Sequence, residues 1–280
     1  FSSNDAHRNL FSKNKMSCIF SYGSQTDSSN TGIRNNLFIQ NGDPAAPDNF
    51  PVIRTTGSSS FFQTPPHNTY ITGNLFYQNI YRSDELFDDD STANIRILKN
   101  NIFYENINTA KGANGIPFAF KYDSLELAYN LLDLPCARLP SRALCGPGNI
   151  LTLDPMFVDA AAGDYRLQPC SPAIDAGSNS AALLTGVLED FDGNARILDQ
   201  AVDIGPYESP MITAAQAPTV DPACAGQAVV AVQFDLQNGC QPFSYQWDTG
   251  AQTGDSLQQL AAGAYHFTIT DQKGKVYETT

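Results

Sequence analysis

A six-residue unit, Asn-[Leu/Ile]-Phe-x-x-Asn, occurs four times in the first half of the chain, at Asn9–Asn14, Asn36–Asn41, Asn74–Asn79 and Asn101–Asn106. A weaker echo follows at Asn130-Leu-Leu-Asp. The first residues of successive copies lie 27, 38 and 27 positions apart, and the echo comes 29 later. A period of this size with variable insertions marks a solenoid, in which each repeat is one supersecondary unit that buries its apolar face only by stacking on its neighbours. The residues before each unit alternate, as in Ile95-Arg-Ile97, with Ile33-Arg-Asn-Asn and Tyr70-Ile-Thr-Gly-Asn in register. That alternation with β-branched side chains predicts strand. No repeat holds ten or more residues of helical periodicity, so leucine-rich and helical solenoids fit poorly. Asn tolerates the left-handed backbone of a sharp turn, and stacked side-chain amides can bond from coil to coil. The Phe at the third position then points inward and stacks on the next Phe.

These repeats resemble the right-handed parallel β-helix family that includes pectate lyases and many bacterial surface proteins. The resemblance spans residues 1–150 and carries architecture, not activity. The chain is therefore expected to be all-β: a right-handed parallel β-helix with a C-terminal cap, followed by a small immunoglobulin-like β-sandwich. Because Phe1 falls within what reads as a coil, residues 1–150 are expected to be the later part of a longer, processed solenoid.

The texture changes at Asp154. Five motifs follow in order: Asp154-Pro-Met-Phe-Val-Asp159, Asp164-Tyr-Arg-Leu167, Ser171-Pro-Ala-Ile-Asp-Ala-Gly177, Asp190-Phe-Asp-Gly-Asn-Ala-Arg196 and Asp203-Ile-Gly-Pro-Tyr-Glu208. The Ser171-Pro172 pair with Gly177 behind it predicts a helix of one or two turns. The series resembles the choice-of-anchor Q domain found after β-helix repeats in secreted bacterial proteins. An open solenoid end exposes apolar cross-section and free strand edges, so capping is the expected role of residues 151–208. Residues 209–220 read as a linker. Residues 221–280 hold three alternating strands, Ala228–Leu236, Phe243–Trp247 and Ala264–Thr270, divided by turn signals. Pro242, Phe243, Tyr245, Trp247, Gly250, Leu260, Gly263, Tyr265, Thr270, Asp271 and Gly274 resemble the immunoglobulin-like repeat of Bacteroidota gliding and adhesion proteins. Lys275 stands where that repeat has a Cys.

Two cysteine pairs bracket short segments, Cys136 with Cys145 and Cys224 with Cys240, and both are expected disulfides of an oxidising compartment. Cys18 and Cys170 are left over, to pair with each other, elsewhere or not at all. Secretion to the cell surface follows from the cysteines and the resemblance together. Calcium is the expected cofactor if there is one, at Asp84, Glu85, Asp88, Asp89 and Asp90 or at Asp190, Asp192 and Asp203. The competing readings are a solvated acidic loop and a structural ion-pair network around Arg196. Asp190 does not open an EF-hand, because Gly193 is fourth and Ala201 twelfth in the count. Ser91, Ser124 and Ser256 each follow Asp in the triplet that Bacteroidota O-glycosylation uses, and they are the expected sugar acceptors.

A net charge of −13 with only 16 Lys and Arg argues against nucleic acid as a partner. No apolar run approaches the ~20 residues of a spanning helix, so no membrane insertion is expected. Arg34, Arg54, Arg82 and Arg96 fit a solvated face better than a lyase base, and His7, His67 and His266 form no recognisable triad series. The expected function is a secreted structural or adhesive surface protein with glycans, surface proteins or further copies as partners. The alternatives are a carbohydrate-active β-helix enzyme with catalytic coils upstream, and a self-assembling fibre subunit.

Overall fold

The computed structural model describes residues 5–14, 19–22, 31–42, 53–56, 68–81, 87–89, 95–108, 112–113, 125–139, 143–184, 186, 188–214, 219–220, 232–247 and 265–279. Their regular structure is mostly β, with one short α-helix, Asn179–Leu184, and one 3-10 turn, Cys136–Arg138, among the described residues. No described helix is long and apolar enough to cross a membrane.

Two six-stranded sheets carry the first half of the chain. The first orders Asp5–His7, Thr31–Arg34, Asn68–Thr72, Ile95–Lys99, Leu125–Ala128 and Ala143–Cys145. The second orders Leu10–Ser12, Leu37–Ile39, Leu75–Tyr77, Ile102–Tyr104, Leu131–Leu132 and Ile150–Leu151. Every neighbouring pair in both is parallel. Each repeat thus gives one strand to each sheet and forms one rung of a β-helix-like stack of six. Between the sheets lies a core of Ile33, Phe38, Ile71, Phe76, Leu98, Phe103, Leu125, Leu127 and Leu132. Phe11, Phe38, Phe76 and Phe103 stack in one inward column, with ring centroids 4.9, 4.7 and 4.7 Å apart. That spacing is the distance between neighbouring strands, so register and ring stacking enforce one another.

The segments 42–69 and 80–93 read as loops in the sequence, but each contributes a strand. Ile53–Thr56 and Phe87–Asp89 join Ile19–Tyr22 in a third parallel sheet. Asp88 lies opposite Arg54, and Asp89 opposite Thr55. Stacking on the preceding rung supplies the ladder bonds that a short polar segment cannot find alone.

The turn chemistry also departs from expectation. The left-handed residue is not the motif Asn but the one before it: Arg8, Asn35, Gly73, Asn100 and Tyr129 have φ of 54, 50, 66, 59 and 56°. The motif Asn keeps an ordinary backbone and uses its side chain instead. Asn74 accepts from the backbone N–H and the amide of Asn36, each at 3.0 Å. It donates to Ile33 O at 2.8 Å and Asn101 Oδ1 at 2.9 Å. The same pattern runs through Asn9, Asn36, Asn101 and Asn130 to Asn149, and a second ladder joins Asn14, Asn41, Asn79 and Asn106. Asn36, Asn74, Asn79, Asn101 and Asn130 are fully buried. A buried amide is tolerated because its hydrogen-bonding groups find partners.

The chain forms two compact units, Phe1–Pro155 with Pro172–Glu208, and Met156–Ser171 with Ser209–Thr280. Residues 156–171 thus cluster with the C-terminal part. Residues 172–208 run along the flank of the rungs. Glu189 pairs with Arg8 on the first rung, and its carbonyl accepts from Asn35 Nδ2 on the second at 2.7 Å. Ser178 exchanges two hydrogen bonds with Asn100 on the fourth, and Gly205 N–H donates to Asn100 O at 2.8 Å. A Cβ on Gly205 would sit 2.7 Å from Ile102 Cδ1, which shows how closely this segment lies on the second sheet. It answers a requirement of the repeat itself. Leu37, Leu75, Ile102 and Leu131 alternate with the inward column and so face away from it, yet they are at most 2% exposed. Leu10, on the same column, is 59% exposed.

The helix expected at residues 171–177 is absent. Asp175 takes φ 53°, which an α-helix excludes, and its N–H donates to Asp203 Oδ1 at 2.8 Å. The helix begins after Ser178 instead. Gly177 is required by close approach: a Cβ there would lie 2.6 Å from Val202 Cγ2.

In the second unit, Ser244–Trp247, Phe267–Thr270 and Val276–Thr279 form an antiparallel sheet. Trp247, Phe267 and Ile269 are its buried core. The Asp271 carboxylate accepts from the backbone N–H groups of Cys240, Lys273 and Lys275 at 2.9, 2.8 and 2.9 Å, which explains the Thr-Asp-x-x-Gly turn. Phe157–Asp159 and Asp164–Leu167 form an antiparallel hairpin of the same unit.

Candidate functional site

The residue before the second Asn of each repeat is also left-handed: Lys13, Gln40, Gln78 and Glu105 have φ of 54, 51, 51 and 54°. This corner carries side chains of successive rungs outward in a row. Gln40 Nε2 donates to Gln78 Oε1 at 2.9 Å, and Gln78 Nε2 donates to Glu105 Oε2 at 2.8 Å. The Glu105 N–H donates to Asp133 Oδ2 at 2.7 Å. Beside the row, Tyr77 and Tyr104 stack with centroids 6.3 Å apart and rings within 8° of parallel.

Carboxylates gather at the lower end of this row. Burial pushes the Asp133 carboxyl above the usual Asp range, with the Glu105 N–H opposing and the Glu105 charge adding to the rise. The Tyr104 hydroxyl is raised by burial first, then by Asp154, Glu105 and Asp133. A corner of amides and carboxylates on rigid rungs, with the half-buried Tyr104 beside it and Tyr77 buried, can donate to and accept from hydroxyl groups of a ligand. The signal for it in the sequence was the position, not the residue type: Lys13, Gln40, Gln78 and Glu105 occupy the same place in each repeat.

The Asp190 cluster is a buried structural network in the first unit. Asp190 accepts from Asn194 N–H at 2.7 Å and Glu208 N–H at 3.0 Å. Arg196 pairs with Glu208 and donates to the carbonyls of Asp203 and Gly205 at 3.2 and 2.7 Å. Burial pushes the Arg196 guanidinium down to about 10, with Asp203 and Asp190 pulling the other way, so it stays charged at neutral pH. Asp192 is exposed. Glu208, the partner of Arg196, was not singled out in the sequence. No three metal-ligating side chains converge among the described residues. Asp84, Glu85, Asp90, Ser91, Ser124 and Ser256 lie outside those residues, and of Asp88 and Asp89 only the backbone is described.

Cys136 and Cys145 are disulfide-bonded, with Cα atoms 5.9 Å apart. The expected Cys224–Cys240 bond is replaced: Cys240 is bonded to Cys170, Cα to Cα 4.7 Å. The reason is tertiary, since Lys273 Nζ donates to Ser171 O at 2.7 Å and Gln272 N–H to Cys240 O at 3.0 Å, which brings residues 170 and 240 to the same turn. Cys18 and Cys224 lie outside the described residues. Both bonds are consistent with an extracellular protein.

Comparison with known families, with curated proteins and with solved structures found no match.

Proposed function

We propose that this chain is a secreted surface protein with a structural and adhesive role, which presents the corner row Gln40, Gln78, Glu105 and Asp133 to neutral glycans. The observation that carries the reading is the bonding of the Gln40, Gln78 and Glu105 side chains from rung to rung, with Asp133 accepting from the Glu105 N–H, beside Tyr77 and Tyr104. A row held by stacked strands is preorganised, so little conformational entropy is lost when a ligand binds along it. The net charge of −13 favours neutral over anionic sugars. The finer architecture belongs to the same proposal. The rungs wind as a right-handed parallel β-helix, residues 172–208 are the flank-covering part of a choice-of-anchor Q type segment, and the C-terminal residues are an immunoglobulin-like sandwich of the gliding-adhesin type.

The test is retention of the full chain on immobilised neutral polysaccharides, with Gln78→Ala and Tyr104→Ala combined as the variant. The expected outcome is binding by the parent and a loss of about tenfold or more in the variant, which corresponds to roughly 1.4 kcal/mol. Equal retention of both, or none of either, overturns the assignment of the site. Release of new sugar ends during incubation would favour the carbohydrate-active alternative instead.

A further inference from the structure

The chain holds three Asn-Gly pairs, Asn41-Gly42, Asn114-Gly115 and Asn238-Gly239. Asn114 and Gly115 lie outside the described residues. Besides its turn preference, this dipeptide carries a chemistry of its own. Glycine has no side chain to shield its backbone nitrogen, so that nitrogen can approach the Cγ of the carboxamide before it. Reaction there needs a Gly N–H free to lose its proton, a carboxamide free to turn toward it, and water to complete the exchange.

The two described pairs differ in all three respects. Asn41 is 1% exposed. Its Oδ1 accepts from the Asn14 N–H and Nδ2 at 3.1 and 3.0 Å, and its Nδ2 donates to Phe11 O and Asn79 Oδ1, each at 2.9 Å. The Gly42 N–H donates to Asn14 O at 2.7 Å, so the ladder holds nucleophile and carboxamide alike. Asn238 is exposed, with φ 65°, and follows the strand Leu236–Gln237. Among the described residues its carboxamide has only two long contacts, Nδ2 to Met211 O at 3.4 Å and to Thr213 Oγ1 at 3.5 Å. At such lengths a hydrogen bond is weak. Among the described residues the Gly239 N–H donates to no acceptor. A Cβ at position 239 would lie 2.4 Å from Phe243 Cε1, so the fold itself requires the glycine that leaves this nitrogen open.

We propose that Asn238 is a self-modification site, converted without an enzyme into aspartate and isoaspartate with water as the co-reactant. The Gly239 nitrogen gives its proton to hydroxide and forms a bond to Asn238 Cγ, while the carboxamide nitrogen takes up a proton and leaves as ammonia. Water then opens the five-membered imide at one of its two carbonyls. Opening at Cγ gives aspartate on the original backbone. Opening at the Asn238 main-chain carbonyl gives isoaspartate, whose backbone runs through Cβ and Cγ and is one carbon longer. Either product replaces a donor amide by a carboxylate, which has no proton to give to Met211 O. Conversion therefore releases this corner from Met211 and Thr213, and it loosens the pairing of Thr213–Ala214 with Leu236–Gln237. The reaction uses no residue of the corner row, so it stands or falls apart from the glycan reading.

The test is peptide mapping by mass spectrometry of the full chain, incubated for days at pH 8 and, in parallel, at pH 6. The peptide containing Asn238 should gain the mass of an amide-to-acid exchange, faster at pH 8 because the attacking species is the deprotonated nitrogen. Its conversion should be at least about tenfold faster than that of the peptide containing Asn41, the ratio set by about 1.4 kcal/mol of barrier. In denaturant the two rates should draw together, since the difference belongs to the fold. Asn238→Gln, at an exposed position, should remove the gain, because the longer side chain would have to close a six-membered ring. Hydrogen exchange in residues 213–214 and 236–237 should be faster in the converted fraction than in the parent. An Asn238 peptide that keeps its mass, an Asn41 peptide that converts as fast in the folded chain, or a ratio that survives denaturant overturns the proposal. Unchanged exchange in the converted fraction overturns the loosening.

Discussion

The smallest unit that decides this fold is the side-chain amide of one Asn. Asn74 bonds to the rung before it, the rung after it and its own turn, all without exposure to water. Replacing it by Ala strands the Asn36 N–H and the carbonyl of Ile33 in the interior. Asn74→Ala is expected to cost roughly 3 kcal/mol or more, because an unsatisfied buried group forfeits about 1–3 kcal/mol and several are left. Denaturant unfolding checks this, and a loss below about 1 kcal/mol would mean that water replaces the amide. Asp133 gives a prediction of opposite sign. Its folded-state carboxyl is raised above the unfolded value, mainly by burial. Between the two values the native state holds more protons, so this group lowers stability as pH rises through that window. Asp133→Asn keeps an acceptor for the Glu105 N–H and removes the charge. Its melting temperature should equal or exceed that of the parent at pH 7, with the difference gone near pH 3, below the ordinary Asp range of about 3.9. A variant less stable at pH 7 would show that the charge itself is needed.

At the scale of elements, the repeat creates a demand that the repeat cannot meet. Its second position sends Leu37, Leu75, Ile102 and Leu131 out of the core, and each buried Leu or Ile side chain is worth about 1.5–3 kcal/mol. Residues 172–208 are held on that flank by polar anchors at Arg8, Asn35 and Asn100 and shaped internally by Arg196, Glu208 and Asp190. Removing the guanidinium leaves Glu208 buried without its cation, so Arg196→Ala should destabilise by about 3–5 kcal/mol. Hydrogen exchange should place the loss first in residues 172–208, with amides of the Asn ladder keeping their protection longer. Simultaneous loss throughout would mean that segment and rungs unfold as one cooperative body.

For the whole molecule, the covalent cross-links divide by range. Cys136–Cys145 closes a loop of sequence separation 9, while Cys170–Cys240 spans 70. The longer loop removes more freedom from the unfolded chain, about 4 kcal/mol in the chain-entropy account. Peptide mapping without reduction should recover a fragment joining residues 170 and 240, and Cys224 linked to Cys240 would contradict the structure. Calcium belongs to this scale too, since the proposed acidic run at 84–90 contains the strand residues Asp88 and Asp89. If the ion binds there, chelation lowers the melting temperature of the full chain, and an unchanged temperature removes the proposal.

Rungs, the inward Phe column and the parallel sheets were legible because a repeat states its own register: once Asn36, Asn74 and Asn101 are aligned, Phe38, Phe76 and Phe103 must coincide. The corner row was legible only in outline, as a shared position with differing residues, because left-handed backbone at Gln40 and Glu105 has no signature in residue type. Other features were decided by contacts between distant segments, which no local pattern encodes. Ile53–Thr56 becomes a strand because two rungs flank it. Residues 172–208 are held on the flank of the stack because the outward leucines lie there. Cys240 meets Cys170 because the Asp271 turn and Ser171 share a lysine, and Asp175 abandons a helix because Asp203 holds its N–H. Periodicity is written in the chain, whereas the partner of an unrepeated residue is set by which surfaces remain to be buried once the repeats have stacked.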